Sequence, residues 1–120
     1  MATFFKDAKG KLFATVSEGA EVPAGCTELK ANTEDAATEK HVPIVSVEHE
    51  GHVIHAKVGE TEHPMTPKHY IEWIALETDG RLEIHQLTPD MKPVAFFAGN
   101  TKHGTVYAYC NLHGLWSHKF

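Results

Sequence analysis

What most constrains this chain is a succession of short alternating segments, each ended by turn residues, with no helical period longer than a turn or two between them. Thr3 to Lys6 and Lys11 to Val16 alternate apolar and polar residues around Asp7-Ala8-Lys9-Gly10, the pattern of a β-hairpin. Val42 to Glu48 and Val53 to Val58 are rich in β-branched residues and flank His49-Glu50-Gly51-His52, a second hairpin turn. Tyr70 to Glu77 ends in Thr78-Asp79-Gly80, the strongest short turn signal, and Arg81 to Leu87 follows as its partner strand. Val94 to Phe97 and Thr105 to Tyr109 complete the set, punctuated by Gly99-Asn100 and Gly104. An α/β sheet would need helices between its strands, so this pattern predicts an all-β fold with an antiparallel β-sandwich. Glu18-Gly19, Val22-Pro23 and Ala24-Gly25 break the first segment from the rest, and Ala31 to Glu39 has no periodic apolar face. A small N-terminal β domain over 1–36 and a main domain over 37–120 are therefore expected.

A chain of 120 residues with 42% hydrophobic content suits one compact core with a small appendage. The net charge of -5, with basic residues scattered, offers no stripe able to neutralise a run of phosphates, which argues against nucleic acid. Val94 to Ala98 is the longest apolar run, far short of a spanning helix, and Lys6, Lys9 and Lys11 interrupt any leader-like start. A soluble, cytoplasmic protein is the expectation. Two cysteines, Cys26 and Cys110, are too few for a disulfide framework, and a functional thiolate is the better reading of Cys110.

Ten histidines are many for this length, and most have ordinary explanations. His49, His52 and His55 fall in a turn or on a solvent face; His85, His103 and His118 read as surface residues or as a rim. Trp73, Phe96, Phe97, Tyr107 and Tyr109 fall in strands and read as core. Cys110-Asn111-Leu112-His113 directly follows a strand, and such a loop can aim a thiolate and an imidazole at one metal, although a buried Cys beside a surface His would look the same. His63-Pro64-Met65-Thr66-Pro67-Lys68-His69 brackets a segment stiffened by two prolines, and His41 stands where the linker meets the first core strand. Four imidazoles and one thiolate are an odd set for structural zinc, which prefers four ligands. Blue copper would want a weak axial Met after the Cys-His loop, where Leu115-Trp116-Ser117 has none. Five donors with an open sixth position suit iron.

Glu39-Lys40-His41-Val42-Pro43, His63-Pro64-Met65 with Lys68-His69-Tyr70-Ile71-Glu72-Trp73, and Cys110-Asn111-Leu112-His113-Gly114-Leu115-Trp116 occur in the order that resembles the desulfoferrodoxin and neelaredoxin superoxide reductases. The likeness covers residues 37 to 118. It implies an immunoglobulin-like β-sandwich carrying one iron, Fe2+/Fe3+, with His41, His63, His69 and His113 equatorial and Cys110 axial. It also implies that Glu39 closes onto ferric iron at rest and that Lys40 attracts superoxide; an isolated lysine would otherwise read as a solvated linker residue. The reaction implied is one-electron reduction of superoxide to hydrogen peroxide without production of dioxygen. A small donor such as rubredoxin and a homo-oligomer, dimer or tetramer, are the partners expected on the same ground.

Longer members of that family begin with a desulforedoxin-like domain that binds a second iron through four cysteines, and here Cys26 stands alone. The N-terminal domain is thus expected to be metal-free, kept for folding or dimer contacts. Two other classes compete: a cupredoxin-like electron-transfer module, which the missing methionine and Lys40 disfavour, and a Cys-His hydrolase with Cys110 as nucleophile, which would leave His41, His63 and His69 unexplained.

Overall fold

The computed structural model describes residues 2–19 and 21–120 and divides into two compact units, Met1–Lys30 and Ala31–Phe120. The division falls before the expected boundary near residue 36, for an identifiable reason. Asn32 belongs to the second unit: its N–H donates to the Leu115 carbonyl (2.9 Å), and its side chain accepts from the Ser117 N–H (3.0 Å). No helix among the described residues is long and apolar enough to cross a membrane.

In the first unit β1 (Phe4–Lys6), β2 (Leu12–Ala14) and β3 (Thr27–Leu29) form an antiparallel sheet in the order β2-β1-β3. The hairpin turn is closed by Asp7, whose carboxylate accepts from the N–H groups of Lys9 and Lys11 at 2.9 and 2.8 Å. Phe5 pairs with Phe13 across the hairpin, ring centroids 5.5 Å apart. The third strand was not expected: its three residues, Thr-Glu-Leu, are too short and too exposed to show a period.

The second unit is a β-sandwich. One sheet runs β10-β9-β6-β7, from β6 (Ile71–Thr78), β7 (Arg81–Gln86), β9 (Thr105–Cys110) and β10 (Gly114–Lys119). The other runs β4-β5-β8, from β4 (Pro43–Glu48), β5 (Val53–Val58) and β8 (Val94–Ala98). All pairings are antiparallel. The period-2 alternation sends Ile54, Ala56 and Val58, Ala95 and Phe97, Ile74 and Leu76, and Val106, Ala108 and Cys110 inward, where they make one core. Full burial of a side chain such as Phe97 contributes roughly 2–3 kcal/mol, so these alternating positions carry most of the drive to close the sandwich.

Three elements depart from the expectation. One helical turn, α1 (Thr38–His41), occupies the end of the expected linker. Strand β10 lies beyond the Cys-His loop; Leu115 and Trp116 are adjacent and both buried, so the strand carries no alternation by which to recognise it. Phe96 is not core: register places it opposite His55 on the outer face, 59% exposed, with its ring stacked on that imidazole at 4.5 Å.

Candidate metal centre

The registers Pro43↔Val58, Ile71↔Cys110 and Cys110↔Gly114 put the start of β4, the end of β5, the start of β6 and the β9–β10 turn at one end of the sandwich. His41 closes α1 just before β4, His63 and His69 lie between β5 and β6, Cys110 ends β9, and His113 lies in the turn to β10. A donor atom from each of His41, His63, His69 and Cys110 lies within 4.8 Å of all the others. His113 joins them through Nδ1, 3.1 Å from His41 Nε2 and 3.8 Å from Cys110 Sγ. The imidazoles follow one another around a near-square, with centroid separations of 4.8 Å (His41–His63), 4.7 Å (His63–His69), 5.1 Å (His69–His113) and 4.9 Å (His113–His41). The His41–His69 diagonal is longer, 6.5 Å.

Local backbone chemistry builds this arrangement. A β-bulge at Glu72 lets Ile71 pair with Cys110 and Trp73 with Tyr109, so that Ile71 and Cys110 both join the sandwich core while Trp73, also buried, stacks on Tyr109. Asn111 ties the two donor loops together. Its Oδ1 accepts from the Tyr70 N–H and its Nδ2 donates to the Lys68 carbonyl, both at 3.0 Å. Met65 Sδ accepts from the Ile71 N–H at 3.4 Å, fixing the His63–His69 loop to β6. Gly59, at φ +88°, lets the chain pass the Lys40 carbonyl, which an added Cβ would meet at 2.8 Å. The Thr61 N–H also donates to the Glu39 carbonyl at 2.9 Å, so α1 is pinned beside the cluster.

Hydrogen bonds select which nitrogens remain for a ligand. His41 Nδ1 lies 2.7 Å from the Ala37 carbonyl and His63 Nδ1 lies 2.7 Å from that of Pro64; as donors there, both rings leave Nε2 with its lone pair free. The Nε2 atoms of His63 and His69 are buried with no hydrogen-bond partner, a costly arrangement that a metal ion would resolve. Two nitrogens about 2.1 Å from one ion and at right angles lie about 3 Å apart, the spacing found between His41 and His113. The residues therefore fit a metal.

The electrostatics agree. Burial pushes the His63 imidazole from its ordinary 6.5 down to about 4, against the Pro64 carbonyl and with the neighbouring imidazoles. Burial lowers His41 and His69 as well. Burial pushes the Cys110 thiol up, and Glu72 acts in the same direction, opposed by the N–H groups of Leu112 and His113 directed at the sulfur. Neutral imidazoles around a thiol that resists ionisation make a site in which a cation supplies the missing charge. Glu39 and Lys40 are exposed on α1 yet act on the ring, the carboxylate favouring protonation of His41 and the ammonium disfavouring that of His69.

The other histidines lie apart from this cluster. His49, His52 and His55 belong to the far end of the β4–β5 hairpin or its outer face, His55 beside Glu48 at 3.5 Å. His85 is bound by Glu83 (2.6 Å), His103 lies 3.7 Å from Asp79, and His118 is exposed on β10. Both cysteines are free thiols.

The family model for desulfoferrodoxin matches residues 33–119. The chain belongs to the desulfoferrodoxin family. A desulfoferrodoxin of Clostridium acetobutylicum is 58% identical over 89 residues, 74% of this chain and 69% of that one. A superoxide reductase of Pyrococcus horikoshii is 39% identical over 98 residues, 68% of this chain and 85% of the relative. Among solved structures, the superoxide reductase from Treponema pallidum superposes with a TM-score of 0.79 at 37% identity, covering 99% of each chain.

Within this desulfoferrodoxin fold, sequence reasoning missed Asn111, treated only as filler of the Cys-x-x-His loop. Asn111→Ala is expected to lower stability by about 1–2 kcal/mol, chiefly by leaving the part-buried Tyr70 N–H without its acceptor. It should also speed metal release about tenfold or more by loosening the two donor loops. Thermal melts and transfer of metal to a chelator check the two effects separately.

Proposed function

We propose that this chain is a superoxide reductase, with iron as its resident metal, which His41, His63, His69, His113 and Cys110 would hold. The observation that carries the reading is the near-square of imidazoles beside a buried sulfur, with His41 and His63 enclosed and His69 and His113 partly exposed. Iron bound there would supply one electron and an open coordination position. The overall change, superoxide plus one electron and two protons giving hydrogen peroxide, leaves the chain three tasks: attracting an anion, tuning electron density and admitting protons.

Lys40 answers the first. On an acidic chain of net charge -5, a single ammonium that acts on His69 concentrates a small anion at the ring rather than over the whole surface. Cys110 answers the second: its sulfur is electron-rich, and the Leu112 and His113 N–H groups temper the negative charge it carries as a thiolate. Glu39, exposed on α1 and close enough to act on His41, offers a hard oxygen donor that would suit the ferric state of a bound iron better than the ferrous. The partly exposed edge of the ring admits solvent protons. Electrons come from a small donor such as rubredoxin, in a cytoplasm that keeps Cys26 and Cys110 reduced. The N-terminal unit is a desulforedoxin-like domain without iron, since Cys26 alone cannot hold one, and the working form is a homo-oligomer.

Mixing the reduced, iron-loaded protein with superoxide tests the activity. One peroxide per superoxide and no dioxygen is expected; half as much peroxide accompanied by dioxygen would make the protein a dismutase instead. Lys40→Met should lower the second-order rate about tenfold and flatten its dependence on ionic strength, both read by rapid mixing across a salt series.

A further inference from the structure

Trp116 is among the largest fully buried side chains of the chain, 2% exposed, and its place on β10 opposite Ala108 would be satisfied by any large apolar residue. Its contacts are more specific than that. One face of the indole lies against the His41 imidazole, centroids 5.0 Å apart and planes 26° from parallel. Its Nε1–H donates to the carbonyl of His113 at 3.0 Å. A single side chain thus touches one member of the imidazole ring through its π face and fixes the backbone of another through a hydrogen bond.

We infer that Trp116 is a positioning residue of the metal centre, setting the rotation of His41 and the turn that carries His113. The inference rests on the metal-centre reading above. The Ala37 carbonyl holds His41 Nδ1, but one hydrogen bond in the ring plane leaves the imidazole free to tilt about that contact. The neighbours His63 and His113 meet it edge-on, at 70° and 86°, and so supply no broad face to stop the tilt. The indole supplies that face. On the other side, Gly114 at φ +79° reverses the chain immediately after His113, a flexible point that the Trp116–His113 hydrogen bond closes into a short ring. Nothing in hydrophobic burial requires either contact, which separates a positioning role from a filling one.

The test uses the full chain loaded with Co(II), whose visible bands report donor geometry, and compares Trp116→Leu, Trp116→Phe and Phe97→Leu. Phe97 lies in the core opposite Ile54, near the end of β8 away from the site, so its truncation weakens the fold without touching the ring. Trp116→Leu is expected to release Co(II) to a chelator about tenfold or more faster than wild type and to shift its visible bands. Trp116→Phe, which keeps an aromatic face but loses the N–H, should recover most of the release rate. Phe97→Leu should lower the melting temperature and leave release and bands unchanged. Equal release from all four proteins, or a Phe97→Leu effect as large as that of Trp116→Leu, would overturn the inference while leaving the metal site intact. Failure of wild type itself to bind Co(II) would overturn the metal-site reading and this inference with it.

Discussion

Cys110→Ser should give a folded protein that keeps its histidine ring, loses its visible thiolate absorption and reduces superoxide at least a hundredfold more slowly. Serine is nearly isosteric, and its hydroxyl can accept from the Leu112 and His113 N–H groups that now meet the sulfur, so the buried position stays satisfied. What disappears is the soft, electron-rich donor, and the sulfur's influence on the metal's electronics has no substitute among the remaining side chains. Circular dichroism, absorption and rapid mixing check fold, donor and rate in turn. A variant with wild-type rate and absorption would remove Cys110 from the site.

A second large effect is expected at His63. His63→Ala removes a donor whose Nε2 is buried and otherwise unpartnered, and metal affinity should fall more than a hundredfold, beyond the range typical for residues that only support a ligand. The same residue gives the metal-free protein a pH signature. Its imidazole titrates near 6.5 when exposed and about 4 in the fold, so between those values the unfolded chain binds more protons than the native one. Stability of the metal-free protein should therefore fall as pH drops from about 6.5 towards 4. His63→Ala should show a lower overall stability, from the cavity it leaves, but a shallower decline across that window. Denaturant melts at a series of pH values measure both slopes; parallel slopes would mean that burial does not hold His63 neutral.

The sites of legibility in the sequence follow from where the information resides. The β6–β7 hairpin was readable because Asp79-Gly80 dictates a turn, with Gly80 at φ +67°, and the flanking residues alternate. Strand β10 was not, because Leu115 and Trp116 are buried on successive positions and erase the period-2 contrast. Phe96 was misjudged for a related reason: an aromatic residue in an apolar run carries no mark of which face it takes, and register with β5 decides it.

The candidate donors were legible because their chemistry is a property of residue identity. His41, His63, His69, Cys110 and His113 are imidazoles and a thiol placed in loops or at the ends of elements, which residue type and the turn signals beside them reveal. The residues that hold them were less so. Asn111 acts on Tyr70, 41 positions away, and Trp116 acts on His41 across the sandwich end; such contacts exist only once the strands are paired. The division between the two units lies before residue 36 for the same kind of reason, since the hydrogen bonds of Asn32 to Leu115 and Ser117 join sequence-distant segments.

The central claim is a single redox iron held by four imidazoles and one thiolate. Metal analysis of the purified wild-type protein, combined with its visible spectrum before and after reduction, tests that claim most directly. The account predicts one iron per chain and a thiolate-to-iron absorption band that is present when oxidised and vanishes on reduction. Zinc or copper at full occupancy after iron-replete expression, or iron without a band that responds to reduction, would contradict it.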